Sequence, residues 1–252
     1  MASLELYVDE SADVSKQDLV VAGYVSTIDA WAEFSSLWNN RLIAYGLPYF
    51  HMTDFMSPRS SLFRHLQGPK RTEMLRDLVA LIRSHTMLGV SCSICPREYN
   101  SLTSTEFRGR YGAAYAMALS GCILTLGKVL FDHSIPVEEL SVFMEDGHPN
   151  VRQAYELLLE HKTSSQGTGD NGLRLGSVGI GSKLNMAPLQ AADLLAYCCL
   201  SNNPYSRIVV TAILLNGGVH HVALRWSEEV ILLMKDRIVE DEAERARASN
   251  AG

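Results

Sequence analysis

The chain has 252 residues, of which 47% are apolar and 20% charged, and this is the composition of a soluble globular protein with room for a large core. Its net charge of −6 excludes a protein that coats nucleic acid through an overall basic field. It does not exclude a nuclease, because bound metal neutralises catalytic carboxylates. The first residues, MASLELYVDES, lack the basic and apolar segments of a signal peptide, and the number of cysteines, five, is odd. Both features predict a cytoplasmic protein with reduced thiols.

The chain begins with two predicted strands. Leu4 to Val8 is a strand that ends in Asp9 and Glu10, and the β-rich segment Asp18 to Thr27 follows after a short polar turn. The two strands are expected to form a hairpin. The spacing of apolar residues then predicts, in chain order, a helix over Ile28 to Tyr45, a short strand over Tyr49 to Met52, a helix over Arg71 to His85, a strand over Met87 to Cys95 and a long helix over Arg110 to Phe131.

The apolar segment Tyr111 to Gly127 is barely long enough to cross a bilayer, so we interpret it as a buried core helix and expect no membrane contact. The remaining predicted elements are a strand over Leu140 to Met144, a helix from Pro149 to about His161, a flexible loop over Gln166 to Gly172, a strand over Leu173 to Ile180, a helix from Pro188 and a charged amphipathic helix over Val222 to Arg247 with a disordered end. A hairpin followed by βα units predicts one mixed α/β domain.

A single charge, Asp193, lies within the apolar segment MAPLQAADLLAYCCL, which runs from Met186 to Leu200. An ionised carboxylate in such a helix is costly unless it is paired or coordinates a metal. The residues three and four positions away on the helix are uncharged, so the partner must come from elsewhere in the chain. Two interpretations stay open, an ion pair with Lys183 or an arginine, and coordination of a divalent metal.

Other acids follow two predicted core strands. Asp9 and Glu10 come after LELYV, and Asp146 comes near the end of LSVFMED. Acids at the carboxyl ends of such strands usually border a ligand crevice, although each alone is equally compatible with a solvated turn. Together with Asp193 they form an oxygen-ligand set suited to Mg²⁺ or Mn²⁺, and two such ions promote phosphodiester hydrolysis. An arginine filling the space between Asp9 and Asp193 would exclude this interpretation.

These segments carry a resemblance to a known family. Val8 to Ser11, Phe50 to Met52, the strand ending at Asp146 and Leu189 to Tyr197 resemble an uncharacterised bacterial and phage family, domain of unknown function 3800 (DUF3800), over about Leu4 to Leu200. The resemblance implies a ribonuclease-H-like α/β fold, with a central mixed β-sheet flanked by helices, in residues 1–220. Residues 221–252 would then form the charged C-terminal helix and a disordered tail. The sequence departs from the family pattern at Ala12, where the family commonly has glycine.

The resemblance also implies a two-ion Mg²⁺ or Mn²⁺ centre. Asp9 would be the bridging ligand, Asp146 the ligand from the later strand and Asp193 the ligand from the late helix. Glu10 would supply a further carboxylate, with Glu33 as a competitor for that role.

A second set of residues is predicted to bind substrate: His51, Arg59, Arg64, Lys70, Arg71, Lys183 and Gln190. Four of them lie in Ser57 to Arg71, which contains no acid, and in which Phe63 is a candidate for stacking on a base. A solvated loop is the alternative for this segment. For His51 and Gln190 the alternative is hydrogen bonding in the core, and for Lys183 it is pairing with a carboxylate.

Two functions follow from these residues. The first is a divalent-metal-dependent phosphodiester hydrolase, a nuclease acting on DNA or RNA. The second is a non-catalytic binding or assembly module whose acids are engaged in ion pairs; the resemblance implies a ribonuclease-H-like fold and a role in phage defence for it. In that case the apolar face of the C-terminal helix would form a homodimer or partner-protein surface; it contains Val230, Ile231, Leu233, Met234 and Ile238.

Overall fold

The computed structural model describes residues 2–13, 17–164, 173–201, 203–210 and 220–250. Within the last range, the side chains of residues 239, 241–246 and 248–250 are not described. The predicted flexible loop over residues 166–172 and the extreme C-terminus lie outside the described residues.

A six-stranded mixed sheet forms the centre of the described part of the chain. Its strands are β1 (Ala2–Ala12), β2 (Leu19–Thr27), β3 (Leu88–Ile94), β4 (Val137–Glu145), β5 (Leu175–Gly181) and β6 (His220–Trp226), in the spatial order β5-β4-β1-β2-β3-β6. β2 is antiparallel to both of its neighbours: β1 precedes it after a short connection, whereas β3 follows it only after α1, α2 and α3. The other three pairs are parallel. The predicted α/β class with a mixed sheet flanked by helices is confirmed, and the arrangement is consistent with a ribonuclease-H-like fold.

Helices cover both faces of this sheet. They are α1 (Ile28–Ala44), α2 (Met52–Met56), α3 (Pro69–His85), α4 (Pro96–Leu102), α5 (Thr105–Tyr111), α6 (Ala114–Asp132), α7 (Val151–Ser164), α8 (Ala187–Leu200), α9 (Pro204–Val210) and α10 (Glu228–Asn250). The Thr27 hydroxyl caps α1 by accepting from the amide of Ala30 at 3.3 Å, and proline occupies the first turn of α3, α4 and α8.

The alternation of β1 side chains divides the core into two halves. Leu6 and Val8 pack with α6 and α7 on one face, whereas Tyr7 packs with α1, α3 and α8 on the other. α8 lies directly across β1 and β2, so the side chains in its middle face the carboxyl end of β1. This packing explains why α8 is apolar almost throughout.

The helix Ala114–Asp132 is the one described helix that is long and apolar enough to span a bilayer. In the structure, most of this helix is buried, and it packs against β2, β3 and β6. This is the environment of a core helix, as the sequence predicts.

Three predicted elements differ from the structure. Residues 49–51 are not a strand, and α2 begins at Met52. The predicted helix over Arg110 to Phe131 is two helices, because the chain turns at Gly112, whose φ of 99° lies in the region that favours glycine.

The largest difference concerns the C-terminal segment. Residues 220–226 form strand β6, which pairs with β3 in parallel, so the predicted domain boundary at residue 220 falls where an edge strand of the main sheet begins. α10 follows from Glu228, and its Ile231 is fully buried in the core while Leu233 is 64% exposed. Part of the predicted partner face of this helix therefore packs on its own domain.

Candidate metal centre

Three parallel strands end at the same edge of the sheet. Val8 on β1 is level with Met144 on β4, and Glu145 is level with Gly181 on β5. The residues that follow these positions, Asp9 on β1 and Lys183 after β5, are therefore brought together with Glu145. This is the crevice at which α/β folds commonly bind ligands.

Three carboxylates form a compact group there. Asp9, Glu10 and Glu145 each offer an oxygen, and these oxygens lie within 4.8 Å of one another. Asp9 is 0% exposed and Glu145 is 5% exposed. The backbone amide of Glu10 donates to Asp9 Oδ1 at 2.8 Å, and the amide of Gly147 donates to Glu145 Oε2. Although adjacent strand residues point to opposite faces, the Glu10 carboxylate still reaches this group.

The structure brings Glu145, and not Asp146, into the acidic group. Asp146 was predicted as the later-strand ligand, but its side chain is exposed, and its backbone amide donates to the Gly181 carbonyl at 3.0 Å. The strand continues one residue further than predicted, and side chains alternate along it, so the inward position moves from Asp146 to Glu145. Glu33, the competitor for the fourth carboxylate, is 70% exposed and lies 4.0 Å from His85 instead.

The ammonium group of Lys183 lies at the centre of the acids. Its Nζ is 2.8 Å from Asp9 Oδ2, 3.5 Å from Asp193 Oδ1 and 3.9 Å from Glu145 Oε1. Its side chain is only 16% exposed. Asp9 and Asp193 do converge, but a lysine fills the space between them. The structure thus has the ion pair that the sequence left as the alternative for Asp193.

Asp193 also receives two contacts from the start of α2. The backbone amide of Met52 donates to its Oδ2 at 2.6 Å, and Nε2 of His51 lies 3.8 Å from its Oδ1. Nδ1 of the same histidine lies 3.0 Å from Asp54 Oδ2, which orients the ring. Burial raises the pKa of Asp193 to about 6, against the lowering effect of Lys183. Of the two interpretations that the sequence left open for His51, the structure has the one beside the acids, with contacts to Asp54 and Asp193.

Gln190 holds the surroundings of Lys183 in place. Its Oε1 accepts from the indole N–H of Trp38 and from the backbone amide of Phe50, both at 2.8 Å, and its Nε2 donates to the Lys183 carbonyl at 2.7 Å. Gln190 is 2% exposed, which is the core alternative predicted for this residue. It links α1, the segment before α2, and the turn after β5.

The acidic group is short of positive charge. Burial, followed by the charge of Asp9, raises the pKa of Glu10 to about 8. Burial also raises the pKa of Glu145, although Lys183 acts in the opposite direction. One lysine thus faces four carboxylates, those of Asp9, Glu10, Glu145 and Asp193.

Two buried polar atoms beside the acids have no hydrogen-bond partner among the described residues, Glu10 Oε2 and the Tyr115 hydroxyl. Tyr115 is 0% exposed and its ring stacks on His148 at 4.3 Å. Burial raises the pKa of Tyr115, and the negative charges of Glu10, Asp9 and Glu145 raise it further. Buried polar atoms normally have partners. The oxygen donor set and these two atoms fit a hard divalent cation with coordinated water.

The predicted basic segment divides into exposed and packed residues. Arg59, Arg64 and Lys70 are exposed. The guanidinium of Arg71 lies 4.4 Å from the ring centre of Phe55 and is part of the packing of α3. Phe63 is 1% exposed in the core, so the prediction that it stacks on a base is wrong.

Glu145 and Tyr115 are the site residues that the sequence analysis did not identify. Glu145 had a usable signal, because strand alternation places it on the same face as Phe143, which packs on Tyr7 beside Asp9. Tyr115 has no comparable signal, since it is one aromatic residue in an apolar helix.

Comparisons of the chain with family models, with curated proteins and with solved structures give no match. The resemblance to the DUF3800 family therefore stays a prediction.

Proposed function

We propose that the protein is a divalent-metal-dependent phosphodiester hydrolase, a nuclease with Mg²⁺ or Mn²⁺ held by Asp9, Glu10 and Glu145. The observation that carries the proposal is the buried group of three carboxylates whose oxygens lie within 4.8 Å of one another. Hard divalent cations prefer such all-oxygen sites. Asp9 and Glu145 are fixed on adjacent parallel strands, so their spacing is set by the sheet.

Each remaining group at the site has a role in this proposal. A bound divalent cation supplies a lowered pKa for a coordinated water and neutralises charge on the phosphate. Lys183 places a fixed positive charge beside the same crevice. His51, oriented by Asp54, has Nε2 near Asp193 and 30% of its side chain exposed, so it is available to transfer a proton to a leaving oxygen.

Nucleic acid is the proposed substrate class. The support is the location of the exposed basic residues Arg59, Arg64 and Lys70, which follow α2 in the chain. α2 begins beside Asp193, and we propose that the basic segment that follows this helix in the chain contacts the phosphates of the substrate. The proposed location is the cytoplasm, which is supported by five free cysteines.

One observation favours the alternative, a non-catalytic binding or assembly module. Lys183 occupies the space between Asp9 and Asp193, and a lysine in that position satisfies both carboxylates without a metal. In this alternative Glu10 stays protonated.

Calorimetric titration with Mn²⁺ separates the two functions. We expect the wild-type protein to bind Mn²⁺. Asp9→Asn and Glu145→Gln each remove a metal ligand, so they should weaken Mn²⁺ binding more than the loss of an outer-shell partner does, which is about 10–100-fold. Glu138→Gln is the matched control and should bind normally, because Glu138 is an exposed acid near the other end of β4. Cleavage of labelled DNA and RNA oligonucleotides should follow the same order. Absence of Mn²⁺ binding to the wild-type protein would refute the hydrolase and favour the module.

A further inference from the structure

The position of Lys183 is fixed from both ends. Its backbone carbonyl accepts from Gln190 Nε2 at 2.7 Å, in a turn that follows β5 directly. Its Nζ donates to Asp9 Oδ2 at 2.8 Å and to Asp193 Oδ1 at 3.5 Å. A flexible surface lysine has neither constraint, so this ammonium group is built into the site.

The contacts of Lys183 divide the acids into two sets. Asp193 faces the lysine and the amide of Met52, whereas Glu10 lies within reach of Asp9 and Glu145. Asp9 is shared, with Oδ2 accepting from Lys183 and Oδ1 accepting from the amide of Glu10, and Glu145 is shared at longer range, with Oε1 3.9 Å from Lys183 Nζ. The acids therefore surround two positions for positive charge, and the ammonium group occupies one of them.

We infer that Lys183 takes the place of a second metal ion, so that the centre holds one divalent cation and one resident ammonium group. Asp193 is then a positioning residue for Lys183 and not a metal ligand. An ammonium group has three N–H donors, and hydrogen bonds to Asp9 and Asp193 use two of them. The third has no acceptor within hydrogen-bond distance among the described residues, since Glu145 Oε1 is 3.9 Å from Nζ, and it would be donated to a phosphate oxygen of the substrate. This inference rests on the proposed function, because it assumes that Asp9, Glu10 and Glu145 hold a divalent ion.

The test is the number of Mn²⁺ ions bound per chain, measured by calorimetry and by the electron paramagnetic resonance signal of free Mn²⁺. We expect one ion for the wild type and one for Lys183→Arg, which keeps the charge. We expect two for Lys183→Met, because Asp9 and Asp193 then face each other without a cation. The double variant Lys183→Met with Asp193→Asn should return to one. Lys128→Met is the control, since it removes an exposed lysine that pairs with Asp132 at 2.9 Å.

The outcomes separate the inference from the proposed function. Two ions on the wild-type protein, or one ion on a folded Lys183→Met variant, would overturn the inference while leaving the metal site in place. No ion on the wild-type protein would overturn both. If Lys183→Met does not fold, Asp193→Asn decides alone: one bound ion supports the inference, and loss of the ion makes Asp193 a ligand and overturns it.

Discussion

Replacement of Gln190 by alanine tests how the site is held together. The change removes the acceptor for the Trp38 indole N–H and the Phe50 amide, and the donor to the Lys183 carbonyl. Trp38 and Phe50 are both 0% exposed, so bulk water does not reach these two donors in the wild-type fold. An unsatisfied buried donor costs about 1–3 kcal/mol, and two donors therefore cost about 2–6 kcal/mol. We expect a loss of about 4 kcal/mol in the free energy of unfolding, a large part of the about 5–15 kcal/mol typical of a domain.

Urea unfolding followed by circular dichroism gives this number, provided that the slope of the transition stays constant. Gln190→Met keeps the volume of the side chain without a strong acceptor, and it should lose nearly as much stability, which separates hydrogen bonding from cavity formation. Gln67→Ala is the control, because this glutamine is exposed and should change stability by less than about 0.5 kcal/mol. A loss below about 1 kcal/mol for Gln190→Ala would refute the reasoning, since it would mean that other groups satisfy both donors.

Three further predictions address the acids, the sheet and the domain boundary. The pKa of Glu10 is raised from 4.5 to about 8, so the folded protein binds more protons than the unfolded chain between these values. Stability should fall and Mn²⁺ affinity should rise as the pH increases through this range, and Glu10→Gln should flatten both curves in urea and calorimetric titrations. Gly23→Ala should destabilise the protein, because the added Cβ would lie 1.8 Å from the Tyr7 carbonyl oxygen. The expected loss in the free energy of unfolding is at the upper end of the range for overpacking, about 1–3 kcal/mol. Urea unfolding measures it, and an unchanged midpoint would contradict the prediction. A chain truncated before His220 should lose cooperative unfolding because β3 loses its partner β6, whereas a sharp transition would restore the predicted boundary.

Local patterns identified most of the elements, and they failed where pairing partners are distant in the chain. The segment HHVALRW is a strand because β3 lies beside it. A charged amphipathic helix follows this segment, and the sequence pattern predicts that the helix begins within HHVALRW. Residues 88 and 220 are paired, and no local periodicity reports such a contact.

The site was predictable in its location and not in its detailed contacts. Convergence of Asp9 and Asp193 follows from the strand end and the apolar helix, and the structure has it. The choice of Glu145 over Asp146 depends on where β4 stops, and a shift of one residue reverses which side chain points inward. The location of Lys183 between the acids depends on the register of β5 against β4, which is fixed by contacts far apart in sequence.

The pairing of β3 with β6 has a consequence for biosynthesis. When the ribosome has released β1, β2 and β3, the strand LGVSCSI has an open hydrogen-bonding edge and carries no charged residue. That edge is closed only after Trp226 has emerged, more than half of the chain later. Open apolar edges are templates for intermolecular pairing, so the nascent chain should depend on chaperones until β6 has emerged from the ribosome.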